Sequence, residues 1–246
     1  MLILALETTT DVCGVAVVDE RGTLEVRAFR HRMRLSERLL GEVDSVLREA
    51  GTRLEDVEGL GVGIGPGSFT GVRVGVMTAK MWADVLGLPV AGVSSLEAVA
   101  AACAPAGLGP GAPGQPTVVA VIRARPGTWY VQRLAPGSAA GEPETLTVEL
   151  LAERLREEPG RVLLCGEGVP AVREHLVVLL GPAAARVEVA PPEPPRAEVV
   201  GRLAGERILA GRSDDPLALA PLYVAPPPIN TRGLPGGDAE RLARPA

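Results

Sequence analysis

Short apolar runs separated by polar turns open this chain, and helical spacing takes over further on. Residues 2–6 read as a buried strand, 12–18 as a second and 23–29 as a third. The polar segments 7–11 and 19–22 between them make this a β-meander. From 36 to 50 the residues Leu39, Leu40, Val43, Val46 and Leu47 recur at helical spacing. Ser36 is placed as the N-cap of that helix and Gly51 as the residue just past its end. The run 60–64 predicts another strand, and 72–86 a long helix. Two apolar stripes run along that helix. Phe69, Val72, Val76, Ala79, Ala83 and Leu86 form one, and Val74, Met77, Met81 and Val85 the other. A helix apolar on two sides must be covered on two sides. Gly71, Gly75 and Ala79, four apart, leave room for a close helix approach.

This first lobe spans 1–103. Residues 104–116, rich in Gly, Pro and Ala, read as a connecting loop. A second lobe, 104–229, follows, with strands at 117–122, 128–134, 162–165 and 187–190. Its helices fall at 148–157, 171–180 and, after a proline-rich spacer, 196–210. The tail 230–246 reads as disordered. No internal repeat shows by residue identity.

At 246 residues, 46% hydrophobic and 22% charged, the composition is that of a soluble globular protein. Aromatics make up only 2%, so the core is expected to be Val, Leu and Ala. A net charge of −5 argues against holding a nucleic acid alone through broad phosphate neutralisation. Cys13, Cys103 and Cys165 contain no CxxC pair, so reduced thiols are expected. With no basic leader and no apolar stretch long enough to span a bilayer, a cytoplasmic protein is expected.

The candidate chemistry centres on Gly65-Pro66-Gly67-Ser68-Phe69-Thr70-Gly71-Val72-Arg73, a strand–loop–helix junction. Ser68 or Thr70 can cap the helix, and a helix N-terminus attracts anions. A tight turn feeding an ordinary helix explains most of the segment without a ligand. It is not a P-loop, because Gly71 precedes Val72 and the only lysine is Lys80. Nor does the glycine spacing fit the dinucleotide fingerprint. The turn Glu7-Thr8-Thr9-Thr10-Asp11 carries hydroxyls that either bind phosphate or satisfy themselves. His31 and His175 are followed at i+4 by Leu35 and Leu179, so there is no helical metal pair, and no G-x-S-x-G elbow exists.

Four segments together resemble one family: LALETTTDVCGVAVV at 4–18, SERLL at 36–40, GVGIGPGSFTGVRVGVMTAK at 61–80 and GLPVAGVSSLEAVA at 87–100. It is the TsaB (YeaZ) family, accessory subunits in tRNA threonylcarbamoyladenosine synthesis. Past about Pro105 the resemblance thins to echoes around Arg123, Arg125, Trp129 and Tyr130 and at 221–223. It implies a two-lobed α/β fold of the actin-like, Hsp70-like (ASKHA) class with a degenerate, reduced second lobe. It also implies a subunit that is not itself catalytic, with no metal and no intrinsic cofactor, nucleotide binding being left open. The implied partners are a homologous metal-dependent transferase (TsaD type) and a P-loop ATPase subunit (TsaE type). Transfer RNA is reached through the complex. The implied partner face is on the first-lobe helices, at Leu39, Leu40 and Val43 and at Val72, Val76, Met77, Lys80, Met81 and Asp84. On this expectation an arginine at Val76 or Met81 abolishes pairing and leaves the chain folded. The same face serves a homodimer when the chain is alone. Thr8, Thr9, Gly65, Gly67, Ser68, Thr70, Gly71 and Arg73 form a possible anion site. The family usually carries aspartate where this chain has Glu7. The alternative is a self-sufficient ATP-dependent enzyme of the same fold, using Thr8, Thr9, the loop 65–73 and Glu7 or Asp11.

Overall fold

The structure is a computed structural model and describes residues 1–30, 34–103, 115–135, 138 and 140–224. The connecting loop at 104–114, His31 and the tail 230–246 lie outside the described residues.

Strands β1 (Ile3–Glu7), β2 (Val12–Asp19) and β3 (Gly22–Arg30) form the expected meander. Then come α1 (Leu35–Glu49), β4 (Gly59–Gly65), α2 (Phe69–Leu86), β5 (Val90–Ser94) and α3 (Ser95–Cys103). The first sheet has the order β3-β2-β1-β4-β5, with β4 and β5 parallel to β1. Parallel strands need helical crossovers, and α1 and α2 supply them.

The second half repeats this topology. It runs β6 (Thr117–Arg123), β7 (Trp129–Leu134), β8 (Glu144–Leu146), α4 (Val148–Glu157), β9 (Val162–Cys165), α5 (Val169–Leu180), β10 (Val187–Val189) and α6 (Ala197–Leu209). Its order, β10-β9-β6-β7-β8, is that of the first sheet reversed in listing. The chain therefore contains a structural repeat that residue identity does not reveal. Backbone topology needs only a matching apolar pattern, not matching residues. The second lobe keeps all five strands, and its edge strands β8 and β10 are cut to three residues.

The last helix of each lobe packs on the other lobe. Helix α6 lies against β1, β2, β4 and β5, whereas α3 reaches β6, β7 and β9. The layers are therefore α1/α2, first sheet, α3/α6, second sheet, α4/α5. Four apolar clusters fill the spaces between them. The expected boundary at 103/104 follows the chain and not the packing, because α6 closes the first sheet.

Several local expectations need correction. Ser36 is not the N-cap of α1. The helix begins at Leu35 behind Arg34, and no side chain caps it. Gly51 does adopt a left-handed φ of +69° just past the helix, where its N–H bonds Arg48 O. Helix α2 starts three residues earlier than its apolar spacing suggests because Ser68 caps it, its Oγ accepting from Gly71 N at 3.3 Å. Strands β5 and β8 and helix α3 are not among the elements that apolar spacing marked.

Candidate functional site

The sequence-predicted residues fall on two surfaces, the turn–loop junction at the mouth of the first sheet and the outer face of α2.

At the junction, Glu7 ends β1 and its side chain is fully buried. Its Oε1 accepts from Thr9 N at 2.7 Å and its Oε2 from Ser95 Oγ at 3.2 Å. The Thr9 and Ser95 hydroxyls bond each other at 2.9 Å. Burial pushes the carboxyl pKa up, and the hydrogen bonds from Thr9 and Ser95 oppose that only in part. A Cβ at Gly63 would overlap this carboxylate, so glycine is required on β4 to make room for it. Glu7 therefore points under the loop and not into the cleft, which removes it as a metal–phosphate ligand.

The other turn hydroxyls are also committed. Thr8 Oγ1 donates to Gly71 O at 2.8 Å, and Thr10 Oγ1 to Val12 O at 2.9 Å. Ser68 N donates to Thr9 O at 2.6 Å. A Cβ at Gly67 would overlap the Thr9 carbonyl, one at Gly71 the Thr8 carbonyl and one at Gly75 the Thr8 hydroxyl. The glycines let the loop and the turn interlock. The anion site expected from Thr8, Thr9, Gly67 and Gly71 is thus filled by the chain itself. Gly65, at φ +95°, serves the bend into the loop. Only Ser68, Thr70 and Arg73 of that set face solvent, with the Arg73 guanidinium 5.0 Å from the Phe69 ring centroid. The expected groove along Gly71, Gly75 and Ala79 is likewise no partner site, since its two glycines hold the β1–β2 turn.

The raised Glu7 pKa carries a sign. Below about pH 4.5 the carboxyl is protonated in folded and unfolded chains alike. As pH climbs from there toward the raised folded value, the unfolded state ionises first and stability falls. Glutamine removes the charge, its Oε1 accepting from Thr9 N and its Nε2 donating to Ser95 Oγ in place of the bond that Ser95 donates to Glu7. Glu7→Gln is expected to match the parent near pH 4 and to melt about 2–4 °C above it near pH 8. Thermal melts across pH check this; parallel curves would contradict it.

Among the described residues no group of three His, Cys, Asp or Glu is placed to hold a metal ion. His175 is exposed on α5. The three cysteines are free thiols. Burial pushes Cys13 up to about 12. The hydrogen bond between Cys103 and Cys165 raises Cys165, which burial raises further, and lowers Cys103.

The partner-facing set divides on the second surface. Leu39, Val43, Val72 and Val76 are each 4% exposed or less, packed between α1, α2 and the first sheet. They are core residues, and an interface role for them is corrected. Leu40, Met77, Met81 and Val85 are 53%, 62%, 51% and 74% exposed, and Asp84 is exposed beside them. Lys80 is not free for a partner. Its Nζ donates to Leu217 O at 3.0 Å and Leu219 O at 2.8 Å, tying down the segment after α6. Lys80→Met is expected to speed limited proteolysis around 215–219 several-fold with little change in melting temperature. Unchanged cleavage there would mean that other contacts hold the strap.

Two sheets of one topology, clasping a cleft and exchanging their last helices, define a two-lobed α/β protein of the actin-like class. The fold is shared with a ROK hexokinase from Thermus thermophilus, at 16% identity and a TM-score of 0.51 over 85% of this chain and all of that one. The chain belongs to the TsaB (YeaZ) family. It is 35% identical over 173 residues to the tRNA threonylcarbamoyladenosine biosynthesis protein TsaB of Escherichia coli, covering 68% of this chain and 72% of that protein. YeaZ from Pseudomonas aeruginosa superposes with a TM-score of 0.70 at 27% identity, over 90% of this chain and 99% of that one. The family model described as TsaD, tRNA N6-adenosine threonylcarbamoyltransferase, matches residues 31–143. No helix among the described residues is long and apolar enough to cross a membrane.

Proposed function

We propose that this chain is a non-catalytic subunit in the synthesis of threonylcarbamoyladenosine at adenosine 37 of tRNA. It pairs with a homologous metal-dependent transferase of the TsaD type and activates it. The observation that carries this reading is the exposed apolar face of α2 at Met77, Met81 and Val85, spaced four residues apart. Methionine suits an adaptable contact surface, and large exposed apolar side chains grouped on one face mark an interaction site. The turn–loop junction supports the same reading from the other side. The Glu7 carboxylate and the Thr8, Thr9 and Thr10 hydroxyls are bonded within the chain, which commits them to holding the turn and the loop together.

In this reading the subunit carries no cofactor of its own and works in the cytoplasm. A P-loop ATPase subunit of the TsaE type joins the assembly, and tRNA is engaged through the complex. The same face supports a two-fold homodimer when the partner is absent. The self-sufficient ATP-dependent enzyme is the less supported reading: Glu7, Thr8 and Thr9 are turned into the chain and away from a phosphate, which leaves only Asp11, of its two candidate carboxylates, at the cleft.

Reconstitution of tRNA threonylcarbamoylation from purified subunits tests the proposal. Modification is expected to require this chain, while the chain alone turns over neither ATP nor the carbamoyl donor. A transferase equally active without it would overturn the reading.

A further inference from the structure

The chain has only six aromatic residues, two each of Trp, Tyr and Phe. Three of them, Phe69, Tyr130 and Tyr223, line one cleft of about 500 Å³ between the lobes. That volume lies in the range of about 300–1,000 Å³ usual for small-ligand sites. Phe69 and Tyr223 stand 43% and 47% exposed, with ring centroids 5.7 Å apart and planes inclined by 33°. In a protein so poor in aromatics, two rings left open to one cavity need an occupant or a reason.

Charge in the cleft runs against the whole molecule. Arg30, Arg123 and Arg125 line it against the carboxylates of Asp11 and Glu167, whereas the chain carries a net charge of −5. Glu167 is partly spent, since its Oε1 accepts from Arg123 N at 3.2 Å. Arg73 adds a further cation beside Phe69. Ser68, the N-cap of α2, opens on the same space, so the positive end of a long helix faces it too.

Rings for stacking and cations for phosphate are together the recognition chemistry of a nucleotide. We infer that this cleft binds an unpaired nucleotide of an RNA strand. A free nucleoside di- or triphosphate fits less well. The cradle that would hold a polyphosphate is closed by the bonds from Ser68 N to Thr9 O and from Thr8 Oγ1 to Gly71 O. What remains suits one base on the rings and one phosphodiester on the arginines. The choice of RNA over DNA rests on the proposed function, in which the complex works on tRNA.

Fluorescence anisotropy with the isolated chain and a fluorescein-labelled hexauridylate tests it. Binding is expected at low salt, with affinity falling as salt rises by a log–log slope of about −0.7 per neutralised phosphate. Tyr223→Ala and Arg123→Gln, both at exposed side chains, are each expected to weaken binding about tenfold with unchanged melting. Failure of the oligomer to bind, or binding by both variants equal to the parent's, overturns the inference. So does tight binding of ADP without binding of the oligomer, which would assign the cleft to a free nucleotide. Reconstituted tRNA modification separates the two readings. If the chain is required there but binds no RNA, the cleft inference alone falls. If it binds RNA through these residues but is dispensable, the proposed function alone falls.

Discussion

Met81→Arg is expected to separate this chain from its partner while leaving it folded. The side chain is half exposed on the outer face of α2, between Met77 and Val85. Exposed substitutions of this kind change stability by about 0.5 kcal/mol or less, so the melting temperature should move by no more than about 2 °C. In a complex that covers this face the guanidinium would be stripped of water with no counter-charge. A cost of about 3 kcal/mol there lowers affinity more than a hundredfold. Size-exclusion chromatography of the mixed subunits checks pairing, and circular dichroism checks the fold. A folded Met81→Arg chain that still pairs would move the interface off this helix.

Five residues earlier on the same helix the same substitution is expected to do the opposite. Val76 is 1% exposed, packed in the core with Val62, Val72 and Leu39. Arginine there must bury an unpaired charge and force extra volume into a filled space. Together these cost about 5 kcal/mol or more, against a total stability of about 5–15 kcal/mol for a typical domain. Val76→Arg should therefore go to the insoluble fraction or show no cooperative melt. A soluble, native-like Val76→Arg chain that failed only to pair would restore Val76 to the partner face.

Val76 and Met81 carry the same apolar signal in the sequence and lie on opposite sides of α2. Helical spacing sorts α2 into two apolar stripes, and both stripes exist. Spacing carries no information on which stripe meets the sheet and which meets water, because apolarity is the same signal in a core and in an interface. The glycines of the loop posed a similar ambiguity. Gly67, Gly71 and Gly75 mark a close approach, and the approach is real. The sequence does not say whether the approaching group is a phosphate or the Thr8–Thr9 backbone. Glu7 was read as a weakened ligand, and nothing local shows that Gly63 and Ser95 form its pocket.

Local order was largely legible. Apolar runs marked strands β1 to β4, β6, β7, β9 and β10, and helical spacing marked α1, α2, α4, α5 and α6, most within three residues of their observed ends. Those elements are set by periodicity and capping, which operate within a few residues. Family membership was legible for the same reason, because the four diagnostic segments are contiguous. Only the tertiary structure decided that the two halves share one topology, and that α3 and α6 cross to each other's sheets. It alone decided that Val76 lies inside and Met81 outside, that Lys80 holds the strap at 217–219, and that three aromatics gather in one cleft. Each of these depends on residues tens to hundreds of positions apart, such as Thr9 with Ser95 or Phe69 with Tyr223. Contacts at that separation arise from how the layers pack, and local pattern along the chain does not encode them.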